Sequence, residues 1–239
     1  MKNSGKAKYF DNERPLAVKL KTAKGRKISS TRWLQRQLND PYVVKAKSMG
    51  YKSRAAFKLL EIDKKFKILK PGNTIIDLGC SPGGWSQVAI AKSLYLKKMT
   101  KVEKVGRVIG IDINEPDEIP GLEFYQADFL EIDPASFTQE LNIKSADVIL
   151  SDMASSSSGH KKTDHLRIVA LCEAAAVFAN FVLKPGGIFV SKVLTGGAEP
   201  ELQKFLKKQY VKVVNFKPPA SRKDSSEKYV VATGFRPQQ

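Results

Sequence analysis

The chain is poor in the residues from which several common sites are built. Its two cysteines, Cys80 and Cys172, are too few for a disulfide framework and fit a reducing compartment. Its two histidines, His160 and His165, do not pair with each other or with cysteine at metal-site spacing. No metal is therefore expected, and both read as surface or capping residues. No apolar run approaches the roughly 20 residues of a membrane span. No apolar h-region follows the N-terminal lysines, which argues against a secretory signal. Residues 1–36 are basic enough to suggest a transit peptide, and Asp11 and Glu13 argue against one. The expected location is cytoplasmic, with no membrane partner. A G-x-S-x-G elbow is also missing. The serine run 155–158 with His160 and Asp164 therefore does not make a hydrolase triad. Acidic residues are scarce too, with 24 Asp+Glu against 41 Lys+Arg and a net charge of +17. Such an excess points to a polyanionic partner. Nucleic acid leads over anionic lipid, because no basic amphipathic helix is evident.

What is present suits a soluble α/β protein. The length of 239 residues is ample for one such domain with additions. Residues 1–30 carry nine lysines and arginines against Asp11 and Glu13, few large apolar side chains and no clear period. They read as a basic, flexible arm suited to RNA contact. Residues 31–239 read as a single domain, in which 31–70 is a helical part. Trp33, Leu34 and Leu38 make one apolar stripe, continued by Tyr42 and Val43 after Pro41. In YKSRAAFKLLEIDKKF, Ala56, Leu59, Leu60 and Phe66 share a face. Lys58 falls opposite, where periodicity makes it an ordinary solvated lysine. Basic and aromatic residues interleave here (Arg32, Trp33, Arg36, Tyr51, Lys52, Arg54), as in a surface that contacts phosphates and stacks on bases.

The stretch NTIIDLGCSPGGWSQ, from Asn73 to Gln87, organises the rest. An apolar strand reaches Asp77, a loop follows with Gly79, Gly83, Gly84 and Trp85, and a helix then runs to about Leu96. Strand, glycine-rich turn and helix is how an open α/β sheet presents a nucleotide-like ligand. The spacing is D-x-G-x-x-x-G-G, not the dinucleotide G-x-G-x-x-G. It resembles motif I of S-adenosylmethionine-dependent methyltransferases, whose cofactor has no phosphates to cradle. Further strands are expected at 107–113, ending on Asp112, at 122–126, leading to Asp128, and at 148–150, followed by Asp152. Asp112 is placed to accept ribose hydroxyls. Asp128 suits an adenine amino group, although a lone aspartate after a strand is more often a turn or cap residue. Asp77 is expected to hold the loop.

Residues 164–183 form the strongest helical pattern, ended by Lys184-Pro185-Gly186-Gly187. The next strand, IFVSKVL, contains Lys192 among apolar neighbours. A lysine there is costly unless it reaches a cavity or a carboxylate, and burial favours its neutral amine, the form a general base needs. A helix (199–209), the strand VKVVNF and a last strand (229–233), antiparallel to it, close the domain. Glu227 alone reads as a surface carboxylate.

SRAAFKLLEID, DLGCSPGGWSQ, SDMA, LKPGGIFVSKV and SSEKYVVATG occur in an order and spacing that closely resemble the FtsJ/RrmJ (RlmE) family of ribosomal RNA ribose 2′-O-methyltransferases, over residues 30–236. The resemblance implies a Rossmann-like methyltransferase fold: a seven-stranded, mostly parallel sheet with its last strand antiparallel and helices on both faces. It implies a catalytic lysine-aspartate-lysine-glutamate set on Lys58, Asp152, Lys192 and Glu227. It also implies S-adenosylmethionine contacts on Gly83, Trp85, Asp112 and Asp128, to which the glycine loop and strand ends add Asp77, Gly79, Gly84 and Asp152. Lys192 would take the proton of a ribose 2′-hydroxyl as the methyl moves. Asp152 would orient it, and Lys58 and Glu227 would position the hydroxyl. The substrate implied is a uridine of large-subunit ribosomal RNA, with the assembled 50S-type subunit as partner and a monomeric enzyme. Two departures stand out. Serines follow Asp152-Met153-Ala154 where many members have Pro-Asn, and the segment 97–104 is longer than in compact members.

Other chemistries lack their motifs. A base amino-methyltransferase would carry N/D-P-P-Y/F after the fourth strand, where this chain reads SDMASSSS. A carbon methyltransferase needs a nucleophilic cysteine, and Cys80 and Cys172 fall in the glycine loop and a core helix. A non-catalytic RNA-binding assembly factor would be expected to have lost Lys192 or Asp152, and both are present.

Overall fold

A computed structural model describes residues 18–20, 25, 28–94, 105–155, 159–195 and 199–237. Most of the basic arm, the 97–104 segment and Ser156 to Ser158 lie outside the described residues. Three helices come first: α1 (Ile28–Leu38), α2 (Pro41–Ser48) and α3 (Ala55–Phe66). The alternating part follows as β1 (Thr74–Leu78), α4 (Gly84–Ser93), β2 (Arg107–Asp112), β3 (Leu122–Gln126), α5 (Pro134–Glu140), β4 (Ala146–Ser151), α6 (Lys161–Val182) and β5 (Leu183–Leu194). Then come α7 (Glu199–Gln209), β6 (Tyr210–Phe216) and β7 (Glu227–Phe235).

The seven strands form one sheet in the order β3-β2-β1-β4-β5-β7-β6. All pairs are parallel except those of β7, which runs antiparallel to both β5 and β6. The chain builds outward from β1 to β3, then crosses back to place β4 on the other side of β1. That reversal opens a crevice at the carboxyl ends of β1 and β4, where sheets of this kind bind ligands. β1 and β4 are buried at every position, as strands covered on both faces must be, and their β-branched and apolar composition follows from that.

Side chains alternate between the faces with a period of two. Ile76, Leu78, Ile109, Ile111, Ile149, Phe189 and Val193 meet α5, α6 and α7 through Phe137, Cys172, Phe178, Ala179 and Leu206. Ile75, Val108, Val148, Leu150, Val190, Tyr229 and Val231 meet α3 and α4 through Ala56, Leu59, Ile62, Trp85 and Val88. A fully buried Leu or Ile contributes about 1.5–3 kcal/mol. The same parity decides where the polar residues go. Asp77 shares the face of Ile75, Lys192 that of Val190, and Glu227 that of Tyr229. All three therefore point to the side covered by α3 and α4, and α3 carries Lys58.

Several boundaries differ from the pattern-based expectation. α4 ends at Ser93, with Leu94 as its cap, rather than near Leu96. α6 begins at Lys161 and stops at Val182, so Lys184 to Gly187 do not end it but lie within β5, exposed from Lys184 to Gly186. Lys184 instead pairs with the buried carboxylate of Asp147. α6 is also long and apolar enough, by length and composition, to cross a bilayer, which corrects the expectation that no segment would be. One side of it (Ile168, Cys172, Ala175, Ala176, Ala179) is packed into the core against the sheet. His160 occupies the N-cap position of α6, but His165 is buried one turn in rather than on the surface.

Candidate active site

Four ionisable side chains from four places in the chain meet at the carboxyl end of β4. Asp152 directly follows that strand. Lys192, in β5, sends Nζ to Oδ1 of Asp152 at 2.6 Å and donates to the backbone oxygen of the same residue at 2.7 Å. Lys58, on α3, lies 2.8 Å from Oε2 of Glu227 and 3.9 Å from Oδ2 of Asp152. Positive and negative charges thus alternate along the series Lys192, Asp152, Lys58, Glu227. Both lysines are only 8% exposed. Ammonium groups that far from water need carboxylate partners, and each has one.

Lys58 therefore corrects the solvated-lysine reading from periodicity. α3 is buried on more than its stripe: Phe57, Lys58 and Asp63 are covered as well as Ala56, Leu59 and Ile62. The side chain that neutralises Lys58 lies 169 residues away. Glu227 is likewise no free surface carboxylate, because Ser221 Oγ donates to its Oε1 at 2.8 Å.

Tyr229 completes the cluster, and nothing in the sequence pattern marked it. It stands opposite Lys192 in the β5–β7 ladder and two residues beyond Glu227, hence on the same face. Its hydroxyl donates to Oδ1 of Asp152 at 2.7 Å. Its ring packs 5.4 Å from that of Trp85 and beneath Lys58 Nζ. Burial alone would push the Asp152 carboxyl up. The ammonium groups of Lys192 and Lys58, with the hydrogen bonds from Lys192 and Tyr229, outweigh it and hold Asp152 below the ordinary carboxylate value. Tyr229 moves the opposite way, well above the ordinary phenol, because it is buried beside Asp152 and Glu227. It remains a hydrogen-bond donor across the working pH range.

On one side of this cluster lies a cleft of about 360 Å³ between the ends of β1, β2 and β4, lined by Gly79, Ser81, Asp112, Asn114, Asp128, Phe129, Asp152 and Met153 among others. Gly79 has φ 72°, and a Cβ there would overlap Met153, so only glycine lets the loop close this tightly. Asp112 accepts from Ser81 N–H (2.9 Å) with one oxygen and from Asn114 N–H (2.8 Å) with the other, leaving a lone pair on each. Asp128 caps the 3-10 turn at Phe129–Glu131 by accepting from Leu130 N–H at 3.0 Å. It is at once the cap residue that its context suggested and part of the cleft wall.

The remaining sequence-picked residues of the glycine loop do not line that cleft. Gly83, with φ 107°, caps α4, and a Cβ on Gly84 would collide with Ser53 Oγ at the α3–α4 contact. Trp85 is buried, donating from Nε1 to Ala55 O at 2.9 Å. Asp77 is wholly buried behind the loop and accepts from Ser86 Oγ at 2.6 Å, which fits its expected role in holding the loop.

On the other side of Lys58 and Glu227 is a second cavity of about 420 Å³, lined by Arg36, Gln37, Arg54, Lys58, Arg222, Asp224, Ser225 and Glu227. Asp40, which caps α2 with one oxygen, gathers Arg54 (2.9 Å) and Arg222 (3.2 Å) on the other. Arg36 and Arg54, from the interleaved basic and aromatic stretch, thus share one wall with Arg222. Asp152 lines the acidic cleft and Lys58 and Glu227 line the basic one, so the ion-paired series Lys192, Asp152, Lys58, Glu227 connects the two. Among the described residues, no group of three or more His, Cys, Asp or Glu could hold a metal ion.

The profile of the FtsJ-like methyltransferase family matches residues 51–235. A Ruegeria pomeroyi protein named Ribosomal RNA large subunit methyltransferase E is 59% identical over 224 residues, covering 94% of this chain and 96% of its own. A Bradyrhizobium diazoefficiens protein of the same name is 54% identical over 222 residues, covering 92% and 94%. A crystal structure of a Plasmodium falciparum protein assigned as a ribosomal RNA methyltransferase superposes with a TM-score of 0.67 at 31% identity, covering 79% of this chain and all of that one.

Proposed function

This chain belongs to the FtsJ-like methyltransferase family, and from that premise we propose that it methylates the ribose 2′-hydroxyl of a uridine in large-subunit ribosomal RNA, acting on the assembled subunit, with S-adenosylmethionine as methyl donor. The observation that carries the reading is Lys192 Nζ, held at 2.6 Å by Asp152, which lines the acidic cleft and is linked through Lys58 to the basic one.

The acidic cleft fits the donor. S-adenosylmethionine brings a sulfonium, an ammonium, a ribose diol and an adenine amine, all cationic or hydrogen-bond donating. Asp112, Asp128 and Asp152 present acceptors to them, with Phe129, Ile111 and Leu171 as apolar walls. Both oxygens of Asp112 are pre-oriented by backbone donors and suit the two ribose hydroxyls. When bound, the donor supplies an electrophilic methyl group on sulfur. The chain's own residues attend to the nucleophile. A ribose hydroxyl is a poor one, and Lys192, after giving up to solvent the proton it carries in the ion pair, takes the hydroxyl's proton at Nζ as the new bond forms. Asp152, kept ionised by its lysine neighbours, steadies the resulting ammonium. Lys58 and Glu227, anchored by Ser221, fix the hydroxyl's approach from the basic side. Tyr229 restrains Asp152. Holding reactants this way supplies much of the rate such a site can give.

RNA enters over the cavity walled by Arg36, Arg54 and Arg222, whose guanidiniums suit phosphate oxygens. The 31–70 helical part and the basic arm extend that contact, and the enzyme works as a cytoplasmic monomer. The test is transfer of labelled methyl to large ribosomal subunits from cells lacking the protein, beside naked ribosomal RNA, with the label located by nuclease digestion. Label on a uridine 2′-oxygen in the subunits is the expected result. Label on naked RNA alone would move the reaction earlier in assembly. No label on either would favour an RNA-binding assembly factor.

A further inference from the structure

Asp77 is the one buried carboxylate at the crevice that the mechanism above leaves unused. It is the penultimate residue of β1, on the α3–α4 face, with no measurable exposure. Oδ2 accepts from Ser86 Oγ of α4, while Oδ1 is buried without a hydrogen-bond partner among the described residues. Two further carboxylates act on it from neighbouring strands, Asp152 from the end of β4 and Asp112 from the end of β2. The nearby thiol of Cys80, pushed up by its own burial, stays neutral. The cations of the site, Lys58 of α3 and Lys192 of β5, are paired with Glu227 and Asp152. Burial, with the repulsion of Asp152 and Asp112, brings the Asp77 carboxyl up from 3.8 to about 7, against the opposing hydrogen bonds from the Ser86 hydroxyl and backbone N–H. An orphaned oxygen suits a carboxyl that keeps its proton.

Gly79, two residues on, lines the acidic cleft together with Asp112 and Asp152. We propose that Asp77 is a specificity-determining residue that tells the charged methyl donor from its uncharged product: a sulfonium in the adjoining cleft draws the proton off Asp77 to solvent, and the neutral thioether does not. The inference rests on the methyl-donor reading above. Product is then released more readily than donor wherever Asp77 would otherwise hold its proton only in part.

S-adenosylmethionine and S-adenosylhomocysteine share every ionisable group except the sulfonium, so other proton linkages largely cancel between them. Calorimetric titrations of the whole protein in two buffers of different ionisation enthalpy, near pH 6.5, read the protons released. The donor is expected to release more than the product. The donor's advantage in Kd is expected to grow roughly three- to tenfold from pH 5.5 to 8, the range of one charge–charge interaction in a partly screened interior. Asp77→Asn should abolish the difference. Should that variant fail to fold, infrared difference spectra of the wild type report the same event, as loss of a protonated-carboxyl band on adding donor but not product. Equal proton release by the two ligands, an unchanged difference in Asp77→Asn, or no band lost with donor would overturn the inference. Failure of both ligands to bind would instead remove the methyl-donor reading beneath it.

Discussion

Asp77 and Asp152 stand at the ends of adjacent parallel strands, β1 and β4, and both are largely withdrawn from water. Their chemistry is opposite. Asp152 is met by two ammonium groups and a phenol and is held below the ordinary carboxylate value. Asp77 is met by the hydroxyl and backbone N–H of one serine and by two other carboxylates, and rises to about 7. Burial raises both, and what differs is the company. β4 ends against β5, where Lys192 lies, and near α3, which brings Lys58. β1 ends against β2, which brings Asp112. Position in the sheet, not depth, divides one row of aspartates into a permanent anion for the reaction and a titrating one for the ligand.

The comparison breaks most severely at Asp152. Asp152→Ala leaves Lys192 and Lys58 without a shared anion. Stripping a buried ion pair of one partner costs about 3–5 kcal/mol. Chemical denaturation should show a loss of that size, with methyl transfer falling by at least about a thousandfold. Unchanged stability would mean that the cluster is more hydrated than its geometry indicates.

The contrast is sharpened next by the pH dependence of Asp77. Its folded value lies above its ordinary one, so its contribution to stability is complete below about pH 4 and is lost as pH rises through about 7. At roughly 1.4 kcal/mol per pH unit, the loss is at most about 4 kcal/mol. Asp77→Asn should flatten the ligand-free stability profile between those limits. A wild-type profile already flat there would remove the contrast between the two aspartates.

A smaller effect is expected at Tyr229. Tyr229→Phe removes the donor to Asp152 but keeps the ring against Trp85. It should lower kcat about tenfold, in line with about 1.5 kcal/mol for a hydrogen bond to a charged group, and leave donor binding unaltered. Arg222→Ala should do least. It weakens RNA binding a few-fold across sequences and reduces the salt slope by about one, read by filter binding at several salt concentrations.

The sheet was readable from the chain because its strands are near-continuous apolar runs punctuated by aspartates and glycines. β3 and α7 fall at the expected residues. Local pattern failed where the deciding partner is distant. Lys58 looks solvated on a helical wheel, since Glu227 approaches from 169 residues away. Tyr229 gains its meaning only from the register that sets it opposite Lys192. The turn signal in Lys184 to Gly187 does not by itself distinguish a helix end from a strand, because a glycine-proline cluster interrupts either element, and here β5 runs through it. The four positions proposed as catalytic were legible only through several linked motifs taken together. The structure brings all four within ion-pair distance of one another in series.

The most direct test is methyl transfer to large ribosomal subunits by Lys192→Ala under saturating S-adenosylmethionine, with donor Kd measured separately. Loss of rate by about a thousandfold, with donor Kd within about twofold of the wild type, is the result expected if Lys192 moves the proton. Near-normal turnover in that variant would contradict the account.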